Sequence, residues 1–257
     1  MSSRTKCRSD AGQSLVGLWQ DIPHPSVSRY LSAMDWDFVI LDMQHGAMSF
    51  ETAHECVHSL RSGGTEPWIR VSVGNPAEVQ RALDIGAQAV VVPMVNSFDD
   101  ARSMARSAKY PPLGERSLGG TYSILQGGNY PERANAETLL LVQVEHIDAV
   151  RAVDEILAIP GVDGCFIGPT DLALSMNLSR EGYADHLDHR RAMRRTLEAS
   201  RSQGKLVCCN TYSLADAKEK VASGFDCITL QSEVQLLMHA GRQLRDKLLG
   251  LAGRNIS

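Results

Sequence analysis

The chain has 257 residues, 43% of them hydrophobic and 22% charged, and carries a formal net charge of -4. That length matches the roughly 250 residues of a (β/α)8 barrel, and the composition excludes a disordered chain. The scattered Lys and Arg give no basic stripe for nucleic acid, and no apolar run approaches the roughly 20 residues of a membrane span.

Along the chain, short runs rich in Val, Ile and Leu alternate with amphipathic stretches, the pattern of βαβ units around a parallel sheet buried on both faces. Strands are predicted at 14–19, 37–43, 67–73, 89–95, 139–145, 164–169, 205–210 and 227–232. Helical patterns fall at 50–62, 76–84, 97–108, 146–158, 188–203, 213–222 and 233–248. The turn signals DIGAQ, IPGVDG, SQG and SGFD announce the fourth, sixth, seventh and eighth strands. No linker or shift of composition divides residues 1–257, so one (β/α)8 TIM barrel is expected rather than an open sheet. The segment 110–138 is far longer than a typical connection of about 2–6 residues and is expected to be a long active-site loop.

Catalytic groups of a barrel come from the C-terminal ends of its strands. Asp42, Gln44 and His45 follow strand two, Arg70 lies in strand three, Gln143 and Glu145 end strand five, and Gly168, Pro169, Thr170 and Asp171 follow strand six. Glu145 and Asp171 stand on adjacent strands, where two carboxylates would suit one hard cation, Mg²⁺ or Mn²⁺. The bland alternative is an Asp and a Glu serving as cap and first-turn charge of the following helices. Arg70, a charge inside the apolar PWIRVSV, fits a carboxylate or a developing enolate oxygen, or else makes a structural ion pair. Histidine side chains can carry protons near neutral pH, which makes His45 a candidate proton carrier, although a lone His at a strand end is more often structural.

Other features carry less. His54 and His58 complete an HExxH pattern, but the motif lies on the second outer helix without a third ligand, which speaks against a zinc protease. The six cysteines, Cys7, Cys56, Cys165, Cys208, Cys209 and Cys227, show no CxxC spacing and read as reduced core residues. The Gly-rich LGGTYSILQGG matches no phosphate-binding fingerprint and reads as a flexible active-site loop. The start, MSSRTKCRSDAGQ, lacks a secretory core, so a cytoplasmic protein is expected.

The stretches FVILDMQHG, WIRVSVGNPAEVQRALDIGAQAVVVPMVNS, YPPLGERS with LVQVE beyond it, and VDGCFIGPTDLALSMNL resemble the HpcH/HpaI family of class II pyruvate aldolases. The resemblance implies a TIM barrel of the phosphoenolpyruvate/pyruvate-binding type that joins or splits a 2-keto acid and an aldehyde. It implies Glu145 and Asp171 as ligands of a divalent metal (Mg²⁺ or Mn²⁺, with Co²⁺ or Zn²⁺ as alternatives) and Gln143 as support. Gly168, Pro169, Thr170 and Asp171 would receive the keto acid's carboxylate, the amides of Thr170 and Asp171 above all, with Asp42 lining the site. Arg70 would bind the keto oxygen and stabilise the enolate, while His45, supported by Asp84, would activate a water on the metal as base. Asp84 falls at the end of a helix, away from its own mouth, which fits service to a neighbouring subunit of a homo-oligomer, a hexamer in the family. Three places depart from the family pattern: Gln44 stands where many members have Glu, TYSILQGGNY differs, and QSE at 231–233 replaces a more usual Gly-Ser/Val-Asp. Oxaloacetate decarboxylation, malyl-CoA-type cleavage, a specialised condensation and a non-catalytic keto-acid-binding barrel remain the rival readings.

Overall fold

The computed structural model describes Thr5 and residues 12–251, and Cys7 falls outside these. Eight strands pair in parallel in sequence order, and the last returns to the first: β1 (Leu15–Gln20), β2 (Phe38–Asp42), β3 (Glu66–Arg70), β4 (Ala89–Val92), β5 (Leu139–Val144), β6 (Gly164–Ile167), β7 (Leu206–Thr211) and β8 (Cys227–Ser232). The sheet therefore closes into a (β/α)8 barrel.

The outer layer begins with α1 (Pro25–Ser32), α2 (Phe50–Ser62), α3 (Pro76–Asp84) and α4 (Phe98–Ala108). Two further helices, α5 (Gly120–Leu125) and α6 (Tyr130–Glu137), precede β5, and α7 (Ile147–Arg151) and α8 (Val153–Leu157) follow it. The series ends with α9 (Pro169–Ser175), α10 (Leu187–Ser202), α11 (Leu214–Ser223) and α12 (Glu233–Leu251). Ser49, Ser97 and Ser213 cap α2, α4 and α11 by accepting from the backbone amide three residues on, which explains where these helices start. Among the described residues no helix is long and apolar enough to cross a membrane.

Alternation along the strands makes two apolar shells. Leu15, Phe38, Ile40, Trp68, Val91, Leu141 and Phe166 fill the barrel, whereas Leu18, Val39, Leu41, Ile69, Val90 and Val142 face the helices. Phe38 and Trp68 stack at 3.9 Å across β2 and β3. A β-carbon at Gly17 would lie 2.2 Å from the Phe38 ring, so glycine makes room for this stack. Cys56, Cys165, Cys208, Cys209 and Cys227 are free and buried. Burial holds the thiol of Cys165 up at about 12, so it is an inert core group.

Two expectations are corrected. The helical pattern 146–158 breaks at Ala152 into α7 and α8. The segment 110–138 joins α4 to β5, so it lies at the end of the barrel where strands begin, opposite the mouth of its own barrel. Its length suggested an active-site loop, but a connection from helix to strand must lie at that far end. It folds into α5 and α6 there: Arg61 at the end of α2 stacks on Tyr122, and Lys109 ties it down through the carbonyls of Asn135 and Thr138.

Candidate active site

The C-terminal ends of the strands surround a cavity of about 330 Å³ lined by residues from β1, β2, β3, β5, β6, β7 and β8. Of the residues singled out in the sequence, Asp42, His45, Arg70, Gln143, Gly168, Thr170 and Asp171 line it. Glu145 lies directly beneath: a β-carbon at Gly168 would approach its Oε2 to 2.9 Å. Pro169 is buried as the first residue of α9. A larger cavity, about 670 Å³, opens at the opposite end, but its acids are spent on structure, Asp163 on Lys109 and Asp226 on the Val207 amide. The smaller cavity holds the chemistry.

Register explains how Arg70 is aimed. Asp42 and Arg70 are paired neighbours at the ends of β2 and β3, so their side chains meet. Arg70 donates from Nε to Asp42 Oδ1 at 3.0 Å and from Nη2 to Oδ2 at 2.5 Å, and its guanidinium lies 4.4 Å from the centre of the Trp19 ring. The ion pair weighed as the bland alternative is thus present, yet it occupies one edge of the fork and leaves Nη1 as a donor. Asp42 Oδ1 also accepts from the amides of Gln44 and His45, so this carboxylate orients Arg70 and fixes the turn that carries His45.

Glu145 is buried with few compensations. Oε1 accepts from the Met94 amide at 2.8 Å and Oε2 from Gln143 Nε2 at 2.5 Å. Burial pushes its pKa up from 4.5 to about 7, with the nearby charge of Asp171 adding to the rise and Met94, Arg70 and Gln143 opposing it. Its charged form is therefore disfavoured by about 3 kcal/mol relative to a free carboxylate, and at neutral pH about half of it is protonated. A cation is the natural remedy.

The residues present fit a divalent ion. Gln143 Oε1 is buried without a hydrogen-bond partner, and Glu145 and Asp171 offer hard oxygen donors beside it. Among the described residues no group of three His, Cys, Asp or Glu converges anywhere, so protein ligands alone complete no closed cage. A two-carboxylate set that keeps positions for water and substrate suits Mg²⁺ or Mn²⁺ better than a structural Zn²⁺. His54 and His58 illustrate the contrast: they sit exposed on α2 with Nε2 atoms 2.9 Å apart and no third ligand.

At the start of α9 the amides of Thr170 and Asp171 point out of the first turn, where a helix offers unpaired donors to an anion. Thr170 Oγ1 lies 2.7 Å from the Tyr212 hydroxyl and 3.0 Å from that of Tyr183. Asp84 is not brought to this cavity. It ends α3 and pairs at 2.7 Å with the buried Arg116. The cavity also contains Trp19, Asp21, Asn210, Tyr212 and Gln235, which the reading of the sequence missed, and Gln231, which it noted only as a departure from the family pattern. Asn210 and Gln231 are the last residues but one of β7 and β8, and the strand-end rule applied to those strands would have found them.

Fold and site together define a TIM-barrel protein whose mouth sets buried carboxylates beside an oriented arginine. The family model for HpcH/HpaI aldolase/citrate lyase matches residues 15–240, and the chain belongs to that family. It is 32% identical over 245 residues to a hydroxypyruvate/pyruvate aldolase of Rhizorhabdus wittichii, covering 95% of this chain and 97% of that one. It is 30% identical to a 2-keto-3-deoxy-L-rhamnonate aldolase of Klebsiella pneumoniae, covering 89% and 86%. The crystal structure of an HpcH/HpaI aldolase from Desulfitobacterium hafniense superposes over all of both chains with a TM-score of 0.91 at 28% identity.

Proposed function

We propose that the protein is a class II aldolase that splits a 4-hydroxy-2-keto acid into pyruvate and an aldehyde, or joins them, with a divalent metal ion as cofactor. The observation that carries this reading is the buried Glu145 beside Asp171, under an arginine whose free edge faces the same cavity. Glu145 and Asp171 would hold the ion, Mg²⁺ or Mn²⁺, with Gln143 orienting Glu145. When bound, the ion supplies Lewis acidity that makes the carbon next to the keto group easier to deprotonate.

The chain's own groups do the rest. The amides of Thr170 and Asp171 receive the carboxylate of the keto acid. Arg70 donates to the keto oxygen and strengthens its hold as negative charge develops there. In the cleavage direction the 4-hydroxyl loses its proton, the C3–C4 bond breaks, and its electron pair forms the pyruvate enolate. A proton returned to C3 completes pyruvate. His45 at the rim carries these protons. Among the described residues no lysine lines the mouth cavity, which supports a reaction without a Schiff base.

Residues 1–257 act as one barrel unit in the cytoplasm, within a homo-oligomer. Asp84 and the segment 118–130 lie together at the far end, with Gly120 against Asp84, so any site they serve is a neighbour's. Incubation with excess EDTA should abolish release of pyruvate from 4-hydroxy-2-keto acids, and Mg²⁺ or Mn²⁺ should restore it. Borohydride with pyruvate should leave activity intact. Full turnover in EDTA, or inactivation by borohydride, would remove the metal-dependent reading. Release of carbon dioxide from oxaloacetate without any aldol product would favour the decarboxylase instead.

A further inference from the structure

Gln231 holds a backbone conformation that glycine favours, with φ 64. A long side chain persists there only where its surroundings impose the geometry, and such positions collect at functional sites. The cause is local. β1 and β8 run in register from Leu15↔Cys227 to Gly17↔Thr229, then resume at Trp19↔Ser232, so β8 carries one extra residue. This bulge turns the strand's end, and the Gln231 side chain lines the mouth cavity.

Its neighbours form a set of amides with defined polarity. The Trp19 indole can only donate, and it donates to Thr229 Oγ1 at 3.0 Å. The Thr229 hydroxyl then donates to Asn210 Oδ1 at 2.8 Å, which turns the Asn210 NH2 toward the Tyr212 hydroxyl with a second N–H to offer. Gln235 Oε1 accepts from the Ser232 amide at 3.0 Å, again leaving an NH2. On the same side lie the Tyr212 hydroxyl and the carboxylate of Asp21. Arg70 is the one permanently charged cation among the described lining residues, and Asp42 and the keto acid share it.

We infer that Gln231, with Asn210 and Gln235, builds the acceptor subsite and selects a short, uncharged, hydroxyl-bearing aldehyde. Amide NH2 groups donate to the acceptor's hydroxyl oxygen, and Asp21 takes its proton side. An aldehyde bearing a second carboxylate would meet Asp21 with no spare cation to offset it. The inference rests on the aldolase reading and names the acceptor within it.

The test measures kcat/KM with pyruvate and Mg²⁺ for glycolaldehyde and for propionaldehyde, which replaces the hydroxyl by a methyl, and for glyoxylate as the charged acceptor. Wild-type protein should prefer glycolaldehyde over propionaldehyde by about tenfold or more. In Gln231→Gly and Gln231→Ala that ratio should fall at least about fivefold, because a half-buried donor lining the cavity is lost. Gln231→Asn, which keeps an amide and tolerates the left-handed backbone, should retain more of it. Asp21→Asn should raise the use of glyoxylate relative to glycolaldehyde. A ratio of two acceptors on one preparation cancels any loss of folded protein. A wild-type ratio near one, or the same ratio in both Gln231 variants, overturns the inference. Deuterium exchange into the pyruvate methyl group by wild-type protein separates the two readings. Exchange with an unselective acceptor site leaves the aldolase standing alone, and no exchange removes both.

Discussion

At the scale of single residues, the question is whether Arg70 is structural or catalytic, and the geometry gives it both uses. Asp42 clamps Nε and Nη2, and Trp19 covers one face, so the remaining edge is presented to the cavity without freedom to turn away. A fork held in this way meets a developing oxyanion without reorganising. Lysine would keep the charge and lose the clamp. Arg70→Lys is therefore expected to slow deuterium exchange into the methyl group of pyruvate by about 10² to 10³, by analogy with removal of one oxyanion donor. Its effect on pyruvate binding should be much smaller, because the contact strengthens mainly in the transition state. Equal exchange rates in the two proteins would make Arg70 a structural ion pair. The sequence showed this residue because a charge in an apolar strand is conspicuous. It did not show the partner, since Asp42 meets Arg70 only through the register of β2 on β3.

At the scale of elements, strand ends decided what was legible. The eight strands were predictable from their apolar runs, and with them Asp42, His45, Arg70, Gln143, Glu145 and Asp171 at one end. The helix α9 was missed because seven residues beginning at Pro169 carry too short a pattern. That short helix nevertheless fixes Gly168, whose lack of a side chain lets Glu145 and Gln143 approach. A β-carbon there would lie 2.9 Å from Glu145 Oε2 and 3.2 Å from Gln143 Nε2. It would also lie 3.0 Å from Glu145 Cβ, so Gly168→Ala should displace the carboxylate and shift the Glu145 backbone by a few tenths of an ångström without breaking the fold. The expected result is a loss of about 10–100-fold in Mn²⁺ affinity, read by titration calorimetry, with the far-ultraviolet circular dichroism unchanged. Unchanged affinity would place the ion away from Glu145. The direction of the 110–138 segment, by contrast, was legible and misread: its length drew attention, while its position between a helix and a strand already fixed it at the far end.

At the scale of the whole molecule, two features are incomplete in one copy. Along α12 only Glu233 is buried, while Leu237, Leu244, Leu248 and Leu251 are exposed at heptad-like intervals. A 19-residue helix gains most of its stability from packing an apolar stripe, and among the described residues nothing covers this one. Asp84 is the second feature: its pairing with Arg116 places it at the end opposite the mouth it is expected to serve. The homo-oligomer proposed above would resolve both at once, joining α12 seams between copies and delivering Asp84 to a neighbour's His45. Leu244→Lys combined with Leu248→Lys should therefore lower the mass measured by light scattering and the aldol activity together. Mass alone would not show that the site is shared, and complementation does. Asp84→Asn and Glu145→Gln should each be inactive when expressed alone. Coexpressed in equal amounts, a chain with intact Glu145 meets a neighbour with intact Asp84 at about one quarter of sites, if copies mix at random. Recovery near that fraction of wild-type turnover would establish a site built by two chains. No recovery from two inactive parents would confine each site to one chain, and an Asp84→Asn protein fully active alone would leave Asp84 with the structural role its ion pair already shows.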